Sequence, residues 1–379
     1  MSSPVYDVVI IGGGIVGAAC AAECVRAGLR VAIVEARLIG GGATAAGMGH
    51  LVVMDDSDAQ FALTRYSQQL WQEIRDELPR TVEYDACGTI WVAADEEEMR
   101  EVWRKQEFYS ERGVAVEVLD QQSLTEAEPN LRAGLVGGLR VPGDSVIYPP
   151  CAAQFFVDRA VTGGAHLFLG KAVQEITREG VRLRDGSIIS AGVVVNAAGS
   201  WSPGLTARLN IKKRKGHLVI TDRYPQFLRH QLVELGYLKS AHSLTADSVA
   251  FNIQPRQTGQ LLIGSSRQFD VDDSAVDVSL MSRMLARAIE YLPALGRLSS
   301  LRAWTGFRAA TPDKLPLIGP DVEHRRLYLA TGHEGLGITT SLGTAKLLVD
   351  QIVNRTPAIP IAPYLPSRMA TTLGEPAHA

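Results

Sequence analysis

Residues 12–17 of the 379-residue chain read Gly-Gly-Gly-Ile-Val-Gly, a G-x-G-x-x-G pattern that can bring backbone amides close to a pyrophosphate. Gly12 permits a tight turn, Gly14 leaves room for the phosphates, and Gly17 allows a helix to pack closely on a strand. Glu35 follows 18 residues after Gly17, at the end of the next apolar run, where its carboxylate can accept hydrogen bonds from ribose hydroxyls. The spacing predicts a dinucleotide site.

A second glycine-rich segment, residues 40–48, distinguishes between the dinucleotides that the first pattern can bind. A nicotinamide dinucleotide has no need of such a loop here, whereas the ribityl chain of a flavin must pass along flexible backbone. Small residues at 196–202 (Asn-Ala-Ala-Gly-Ser-Trp-Ser) end another apolar strand, at the edge where open α/β sheets bind ligands. Together these segments favour FAD over NAD.

The elements that must position these residues lie at both ends and in the middle of the chain. A strand (residues 5–11), an alanine-rich helix (18–27) and a second strand (30–35) make one βαβ unit, and residues 192–196 and 327–330 are typical of further buried strands. Alternating β-rich segments occupy 217–221, 248–254 and 260–264. The pattern predicts an α/β fold with a discontinuous Rossmann-like FAD-binding domain (1–85, 146–215 and 305–356). A β-rich substrate-binding domain (86–145 and 216–304) is interleaved with it, and a C-terminal tail (357–379) follows.

Composition excludes several classes of protein. Hydrophobic residues make up 46% and charged residues 21%, close to the globular average, so the chain as a whole is not disordered. The net charge of −3 and the aromatic fraction of 6% indicate no nucleic-acid partner. The basic run at 212–215 is therefore interpreted as a solvated turn.

The cysteines and the apolar runs indicate where the protein resides. The four cysteines include no C-x-x-C pair, which argues against a metal site or an iron–sulfur cluster held by this chain. The longest apolar run, residues 8–22, is shorter than the roughly 20 residues that a membrane-spanning helix needs. We expect a cytoplasmic protein, with peripheral association at the inner membrane as the alternative.

Three separated motifs resemble the D-amino-acid oxidase (DAO) family of FAD-dependent amine oxidoreductases, which includes glycine oxidase and sarcosine oxidase. They are the N-terminal fingerprint, the strand end at 196–202, and residues 304–319, which contain Trp-Thr-Gly-Phe-Arg, Thr-Pro-Asp and Pro-Leu-Ile-Gly. The resemblance extends to residue 353 and implies the interleaved fold of glycine oxidase and D-amino-acid oxidase. It also implies that Arg308 binds the substrate carboxylate, which a planar guanidinium can hold through two hydrogen bonds.

The resemblance also implies which residues contact FAD. Residues 330–339 are similar to the family's C-terminal flavin loop, and the backbone of Val173 is expected beside the adenine. FAD is expected to be non-covalent because no cysteine follows Cys151, and attachment through His50 is the alternative. The expected contacts are Gly12, Gly14, Ile15, Val16, Gly17, Glu35, Ala36, Gly42, Ala43, Thr44, Gly47, Met48, Val173, Ala198, Gly199, Trp201, Gly332, Glu334, Gly335, Leu336, Gly337 and Ile338.

Two further side chains join Arg308 as catalytic candidates. His50 lies just past the second glycine loop, where it can orient the substrate, act as a base near neutral pH, or simply bond to nearby backbone. Asn252 stands where glycine oxidase has a substrate-binding tyrosine, and the resemblance assigns it to the substrate site although the residue type differs.

The resemblance implies an enzyme that oxidises the Cα–N bond of a small amino acid to an imine by hydride transfer to FAD. The substrate is expected to be a D-amino acid, a cyclic imino acid, glycine or an N-alkyl amino acid, and a D-hydroxyproline dehydrogenase is the first expectation. A glycine- or sarcosine-type oxidase, and a flavin subunit that relays electrons within a heteromer, are the alternatives.

Leu262 bears on the electron acceptor. It stands where sarcosine-oxidase-like enzymes have an oxygen-activating lysine, which favours a dehydrogenase. The expected acceptor is a quinone, an electron-transfer chain, or a partner subunit with an iron–sulfur centre. Oxygen stays open because glycine oxidase also lacks this lysine. An oligomer is expected.

Overall fold

The structure, a computed structural model, describes residues 6–236 and 247–371. The first residue of the predicted strand at 5–11, residues 237–246 of the predicted substrate-binding domain and residues 372–379 of the predicted tail lie outside the described residues. The strands of the described part are β1 (Tyr6–Ile11), β2 (Val31–Glu35), β3 (His50–Leu51), β4 (Thr89–Ala93), β5 (Glu117–Asp120), β6 (Gly137–Val141), β7 (Ser145–Val146), β8 (His166–Leu169), β9 (Val173–Thr177), β10 (Gly180–Leu183), β11 (Ile188–Asn196), β12 (Lys212–Thr221), β13 (Gln231–Glu234), β14 (Ser248–Pro255), β15 (Leu261–Arg267), β16 (Ser300–Ala310), β17 (Leu317–Pro320) and β18 (Leu327–Thr331).

Several helices begin where a polar side chain accepts one of the first backbone amides. Ser57 accepts from the Gln60 amide, and Asp95 accepts from the Glu98 amide, so both cap the helices that follow them. Among the described residues, no helix is both long and apolar enough to cross a membrane. The helices are α1 (Ile15–Arg26), α2 (Asp58–Ile74), α3 (Glu96–Glu111), α4 (Gln121–Ala127), α5 (Pro149–Thr162), α6 (Val278–Tyr291), α7 (Ser341–Ile352) and α8 (Arg368–Thr371). Short 3₁₀ turns occupy Arg75–Glu77, Arg80–Val82, Gly199–Gly204, Pro293–Arg297 and Ala362–Tyr364.

The first sheet is built on the parallel strands β18-β11-β1-β2-β8, with β17 antiparallel at one edge. Ile10 of β1 pairs in register with Ile33 of β2 on one side and with Val195 of β11 on the other. Alternate residues of β1 pack against α1, α5 and α7 on one face and against the β9–β10 hairpin on the other. Because these central strands are parallel, the ends of β1, β11 and β18 meet at one edge of the sheet.

The second sheet has the strand order β16-β12-β15-β14-β13-β4-β6-β5. One face packs against α6, where the ring of Phe251 stacks on Tyr291 with 4.5 Å between centroids, and Ile253 and Ile263 join the same cluster. The opposite face turns toward the first sheet. The predicted domain boundaries at 215/216 and 304/305 fall inside the paired strands β12 and β16, and the division into two domains stays a prediction.

The basic run at 212–215 is not the solvated turn expected from the sequence. It begins β12, and Arg214 and Lys215 are only 7% and 2% exposed. Arg214 pairs with Glu334, and Nζ of Lys215 lies 3.2 Å from Oδ1 of Asp273. The expectation was wrong because both acidic partners lie far away in the sequence, so the run itself carries no sign of them.

The segment at 52–56, which follows β3 and borders the space between the sheets, is held by a buried carboxyl group. Oδ1 of Asp144 accepts hydrogen bonds from the Val53 amide at 3.2 Å and from Nε2 of Gln68 at 2.9 Å. Burial raises the pKa of the Asp144 carboxyl to about 7, although hydrogen bonds from Thr89, Val53 and Gln68 act in the opposite direction.

We expect Asp144→Asn to stabilise the protein above neutral pH. The folded state holds a proton on Asp144 that the unfolded chain loses above about pH 4, so the wild-type free energy of unfolding falls as pH rises toward 7. Asparagine cannot ionise. Urea titrations measure the unfolding free energy of the variant minus that of the wild type at each pH. Between pH 5 and pH 8 this difference should increase by about 2 kcal/mol. The exposed Asp76→Asn is the control, and a difference that does not change with pH would contradict the prediction.

Candidate active site

A cavity of about 750 Å³ lies between the carboxyl edge of the first sheet and the open face of the second. Its walls come from the two glycine segments, the strand end at 197–205, the loop at 330–338 and strands β12 to β16. All of the expected FAD contacts line this cavity except Gly17, and so do Arg308, His50 and Asn252. Residues from both ends and the middle of the chain therefore form one site.

The glycines of the first segment have distinct steric roles. Gly12 has a φ of +106°, and a Cβ built on it would lie 2.7 Å from the carbonyl oxygen of Ala197. A Cβ on Gly17 would overlap the carbonyl oxygen of Gly12, so Gly17 lies beneath the turn and acts through packing. A Cβ on Gly14 would meet only Oγ1 of Thr44, at 3.3 Å, which leaves this backbone open to the cavity.

The N-terminus of α1 presents its positive end to the cavity. Gly14 caps it without a side-chain hydrogen bond, and the first turn contains no acidic residue. The Ile15 amide donates to Oγ1 of Thr44 at 3.0 Å, and this hydroxyl can donate in turn to an anion. A helix N-terminus beside exposed glycine backbone suits a pyrophosphate.

The Glu35 carboxylate is held rigidly at the dinucleotide end of the cavity. Its Oε2 accepts from the Gly13 amide at 2.7 Å, and its Oε1 accepts from the Arg37 amide at 2.8 Å. Each oxygen retains acceptor capacity for the two hydroxyls of a ribose. Val173 and Trp201 line the walls nearby, so the residues present fit the adenosine half of FAD.

The second glycine segment lies between β16 and the C-terminal loop. A Cβ on Gly306 of β16 would overlap Ala46, and a Cβ on Gly47 would lie 2.5 Å from Cδ1 of Ile338. The absence of side chains at 47 and 306 therefore lets three separate backbone segments converge. Their exposed backbone lines the cavity beside Met48, as an extended ribityl chain requires.

The C-terminal loop is fastened to β16 and to β12. The Glu334 amide donates to the carbonyl of Ala309 at 2.8 Å, and the Glu334 carboxylate pairs with the buried Arg214. Nε2 of His333 lies 3.0 Å from Oγ1 of Thr344, and burial lowers the pKa of His333 to about 3. His333 is therefore neutral at physiological pH and contributes hydrogen bonding rather than charge.

Arg308 lies across β12 because residue 216 has no side chain. A Cβ on Gly216 would be 3.0 Å from both Cζ and Nη2 of Arg308. Beyond this crossing, Nη1 of Arg308 donates to the carbonyl of Ser266 on β15 at 3.1 Å. The Ser266 hydroxyl accepts from the His217 amide, and Nε2 of His217 accepts from the Asp277 amide at 3.0 Å. These contacts fix the direction of the guanidinium in the cavity.

His50 belongs to the short strand β3, and its carbonyl accepts a hydrogen bond from Oγ1 of Thr339 at 2.7 Å. Burial lowers the pKa of the imidazole to about 3, and the neighbouring Gln254 side chain only partly offsets this. A neutral imidazole can orient a substrate, but it is a poor base at pH 7 and supplies no positive charge.

Several cavity residues were missed by sequence reasoning. Gly216, Gln231, Trp91 and Arg267 line the cavity together with Asn252. Gly216 lies directly opposite Gly306 of the Trp-Thr-Gly-Phe-Arg motif, but that pairing becomes visible only once the register is known. Gln231 and Trp91 lie in short strands whose sequence carries no chemical pattern.

Comparison with known proteins agrees with this geometry. A family model described as FAD dependent oxidoreductase (DAO) matches residues 7–351. The chain belongs to this family. It is therefore an FAD-dependent oxidoreductase, and the predicted family, cofactor, enzymatic nature and mixed α/β fold are confirmed.

Individual relatives extend over nearly the whole chain. Glycine oxidase of Geobacillus kaustophilus is 29% identical over 384 residues, which cover 97% of this chain and 98% of the relative. The crystal structure of glycine oxidase from this species has a TM-score of 0.86 at 28% identity, covering 95% of this chain and 98% of that one. Hydrogen cyanide synthase subunit HcnC of Pseudomonas aeruginosa is 28% identical and covers 96% of each chain. D-amino acid dehydrogenase of Methylobacterium nodulans is 28% identical over 78% of this chain and 70% of the relative.

We expect Gly216→Ala to weaken binding of a carboxylate while FAD remains bound. The backbone at 216 tolerates alanine, but the new Cβ must displace the Arg308 guanidinium. Because hydrogen bonds to charged groups contribute roughly 1.5–3 kcal/mol, the dissociation constant should rise about tenfold or more. Titration of pyrrole-2-carboxylate, followed by the flavin absorbance, measures it. Gly296→Ala is the control, since Gly296 lies outside the cavity and a Cβ there meets only the Ile289 side chain, at 3.6 Å or more. Equal affinities in the two variants would contradict the prediction.

Proposed function

We propose that this protein oxidises the Cα–N bond of a small amino acid. The observation that carries the proposal is Arg308, whose guanidinium is aimed into the same cavity as the flavin loops by Gly216 and Ser266. A guanidinium forks naturally onto an α-carboxylate, which would leave the neighbouring Cα facing the flavin. The similarity to glycine oxidases and to a D-amino acid dehydrogenase supports the same class of substrate.

Bound FAD supplies the acceptor for the hydride that leaves Cα. The nitrogen electron pair of the neutral amine forms the C=N bond as the hydride departs, and the iminium then loses one N–H proton to solvent. A primary amine gives an imino acid, which water converts to a keto acid and ammonia, whereas a ring nitrogen gives a pyrroline. Arg308 holds the carboxylate, and the neutral His50 orients the substrate through hydrogen bonds.

Among small amino acids, D-hydroxyproline is the substrate that we propose. Its carboxylate fits Arg308, its ring carbons fit the apolar wall that includes Leu218, and its hydroxyl fits the carboxamides of Gln231 and Asn252. A glycine- or sarcosine-type oxidase is the second candidate, favoured by the identity with glycine oxidase over nearly the whole chain. A role as one subunit of a larger complex is the third candidate, since the relative HcnC is a subunit of hydrogen cyanide synthase.

FAD is proposed to be non-covalent. None of the four cysteines lines the cavity, and Cys20 and Cys24 are buried in α1. His50 does line it, but its imidazole is enclosed and neutral.

Anaerobic reduction of the purified flavoprotein by a panel of amino acids tests the function. We expect bleaching near 450 nm with D-hydroxyproline, and with weaker efficiency D-proline, in a protein without added partners. In Arg308→Ala, the reduction rate constant divided by the dissociation constant should fall about a hundredfold, because charged hydrogen bonds to the carboxylate are lost. Arg308→Lys, which keeps the charge without the fork, should be intermediate. A protein that retains FAD but is bleached by no amino acid would refute the proposal.

Electron transfer from the reduced protein distinguishes a dehydrogenase from an oxidase. Leu262 packs with Met48 and Leu218 in an apolar cluster beside the cavity, and His50 is neutral, so neither position supplies the positive charge that favours superoxide. We expect slow reoxidation by air-saturated buffer and rapid reoxidation by a quinone or phenazine in stopped-flow mixing. Reoxidation by oxygen at the rate of steady-state turnover would show an oxidase.

A further inference from the structure

We propose that Gln231 and Asn252 form a subsite that binds a neutral hydroxyl group of the substrate. This inference deepens the proposed function and rests on it, because it places a second recognition group opposite the carboxylate. Neither residue belongs to the flavin loops, and both lie on the face of the second sheet that lines the cavity.

The register of three strands places these groups side by side. Val233 of β13 pairs with Trp91 of β4 on one side and with Asn252 of β14 on the other. Gln231 lies two residues before Val233, on the same face, because side chains alternate along a strand. The intervening Leu232 belongs to the cluster packed against α6, which confirms that 231 and 233 face the cavity.

The polar atoms of this group have unmet hydrogen-bonding capacity. Gln231 is 2% exposed, and within the described part of the chain its Oε1 has no hydrogen-bond partner. Among the same residues, Oδ1 of Asn252 and Nε1 of Trp91 also have none. Buried polar groups without partners are destabilising, so a cavity that keeps three of them together is suited to a ligand that supplies their partners.

The chemistry of the group selects the kind of ligand. Carboxamides offer both an acceptor and donors without formal charge, and the Trp91 indole adds one donor. A hydroxyl group, which donates once and accepts twice, matches such a set. A second carboxylate does not match it, since the unpaired atoms of Gln231 and Asn252 are oxygens.

The distance from Arg308 suits a small ring. The Arg308 side chain crosses β12 and reaches the Ser266 carbonyl on β15, while Asn252 lies on β14 and Gln231 on β13. Asn252 pairs with Gly264, one strand and two residues away from Ser266, so the two backbones are about 8 Å apart. Gln231 lies two strands and four residues away from Ser266, at about 16 Å, so its long side chain must extend toward Asn252 to share a ligand with it. The carboxylate and the ring hydroxyl of a hydroxylated proline can span the shorter separation, between Arg308 and Asn252.

The space between the two polar ends is apolar. Leu218 and Met48 line the cavity and form one buried cluster with Leu262, and the Met48 side chain fills the space above Gly264, which pairs with Asn252. A Cβ on Gly264 would lie 2.9 Å from the Met48 sulfur. Ring methylenes can therefore pack here while the carboxylate and the hydroxyl reach opposite ends.

The test compares hydroxylated and unhydroxylated ligands in the holoprotein. The variants are Gln231→Met and Asn252→Leu, which keep volume but remove the carboxamide, and Gln154→Met on the exposed part of α5 is the matched control. The first measurement is kcat/KM for cis-4-hydroxy-D-proline relative to D-proline. The second, which needs no turnover, is the affinity for oxolane-2-carboxylate with and without a 4-hydroxyl, read from the flavin spectrum.

We expect wild-type protein and Gln154→Met to prefer the hydroxylated member of each pair by about tenfold or more. Gln231→Met and Asn252→Leu should lose this preference and retain their FAD content. A wild type without preference, or variants that lose both ligands equally, would overturn the subsite. If no amino acid is oxidised but the oxolane preference is present and is lost in the variants, the subsite stands and the proposed reaction fails.

Discussion

The crossing of Arg308 over Gly216 is the contact on which most of the site depends. The Arg308 side chain extends from the edge strand β16 across β12, and its guanidinium donates to the Ser266 carbonyl on β15. A Cβ at position 216 would collide with the guanidinium. The carbonyl of Ala309, the next residue of β16, accepts a hydrogen bond from the Glu334 amide of the C-terminal loop. One strand therefore positions both Arg308, at the proposed carboxylate end of the cavity, and the loop proposed to contact the flavin. A shift of one residue in the β12–β16 register would turn Arg308 to the opposite face.

Two buried ion pairs fix the segments around this crossing. The ion pair of Arg214 with Glu334 joins β12 to the C-terminal loop. The ion pair of Lys105 with Asp55 joins α3 to the segment at 52–56. Desolvation of both charges offsets much of their attraction, so such pairs contribute little net stability. Removing one partner, however, leaves the other charge buried without compensation, which is strongly destabilising. Arrangements that keep one charge buried while its partner moves away are disfavoured for the same reason. We infer that both pairs act mainly by holding the cavity walls in one position.

The sequence predicted the parts of this protein that depend on local geometry. The glycine turn, Glu35 and α1 follow from backbone requirements within some 25 residues, and the structure has a β1–α1–β2 unit there. The basic run at 212–215 was misjudged because the burial of Arg214 and Lys215 depends on acidic partners distant in the chain. Gln231 was missed for a related reason. A glutamine in a short strand becomes informative only when its neighbours across the sheet are known to leave its oxygen unbonded.

The charges around the cavity also explain how the substrate could be bound as a neutral amine without a strong base. His50 and His333, each with a pKa lowered by burial to about 3, are neutral at pH 7. In water, the carboxylate of an amino acid stabilises the neighbouring ammonium. In the proposed complex, pairing that carboxylate with Arg308 would remove this stabilisation, and desolvation in the cavity would penalise the ammonium further. Carboxamides, including that of Asn252, add no negative charge that would restore it, whereas a carboxylate at this position would hold the amine in its protonated, unreactive form.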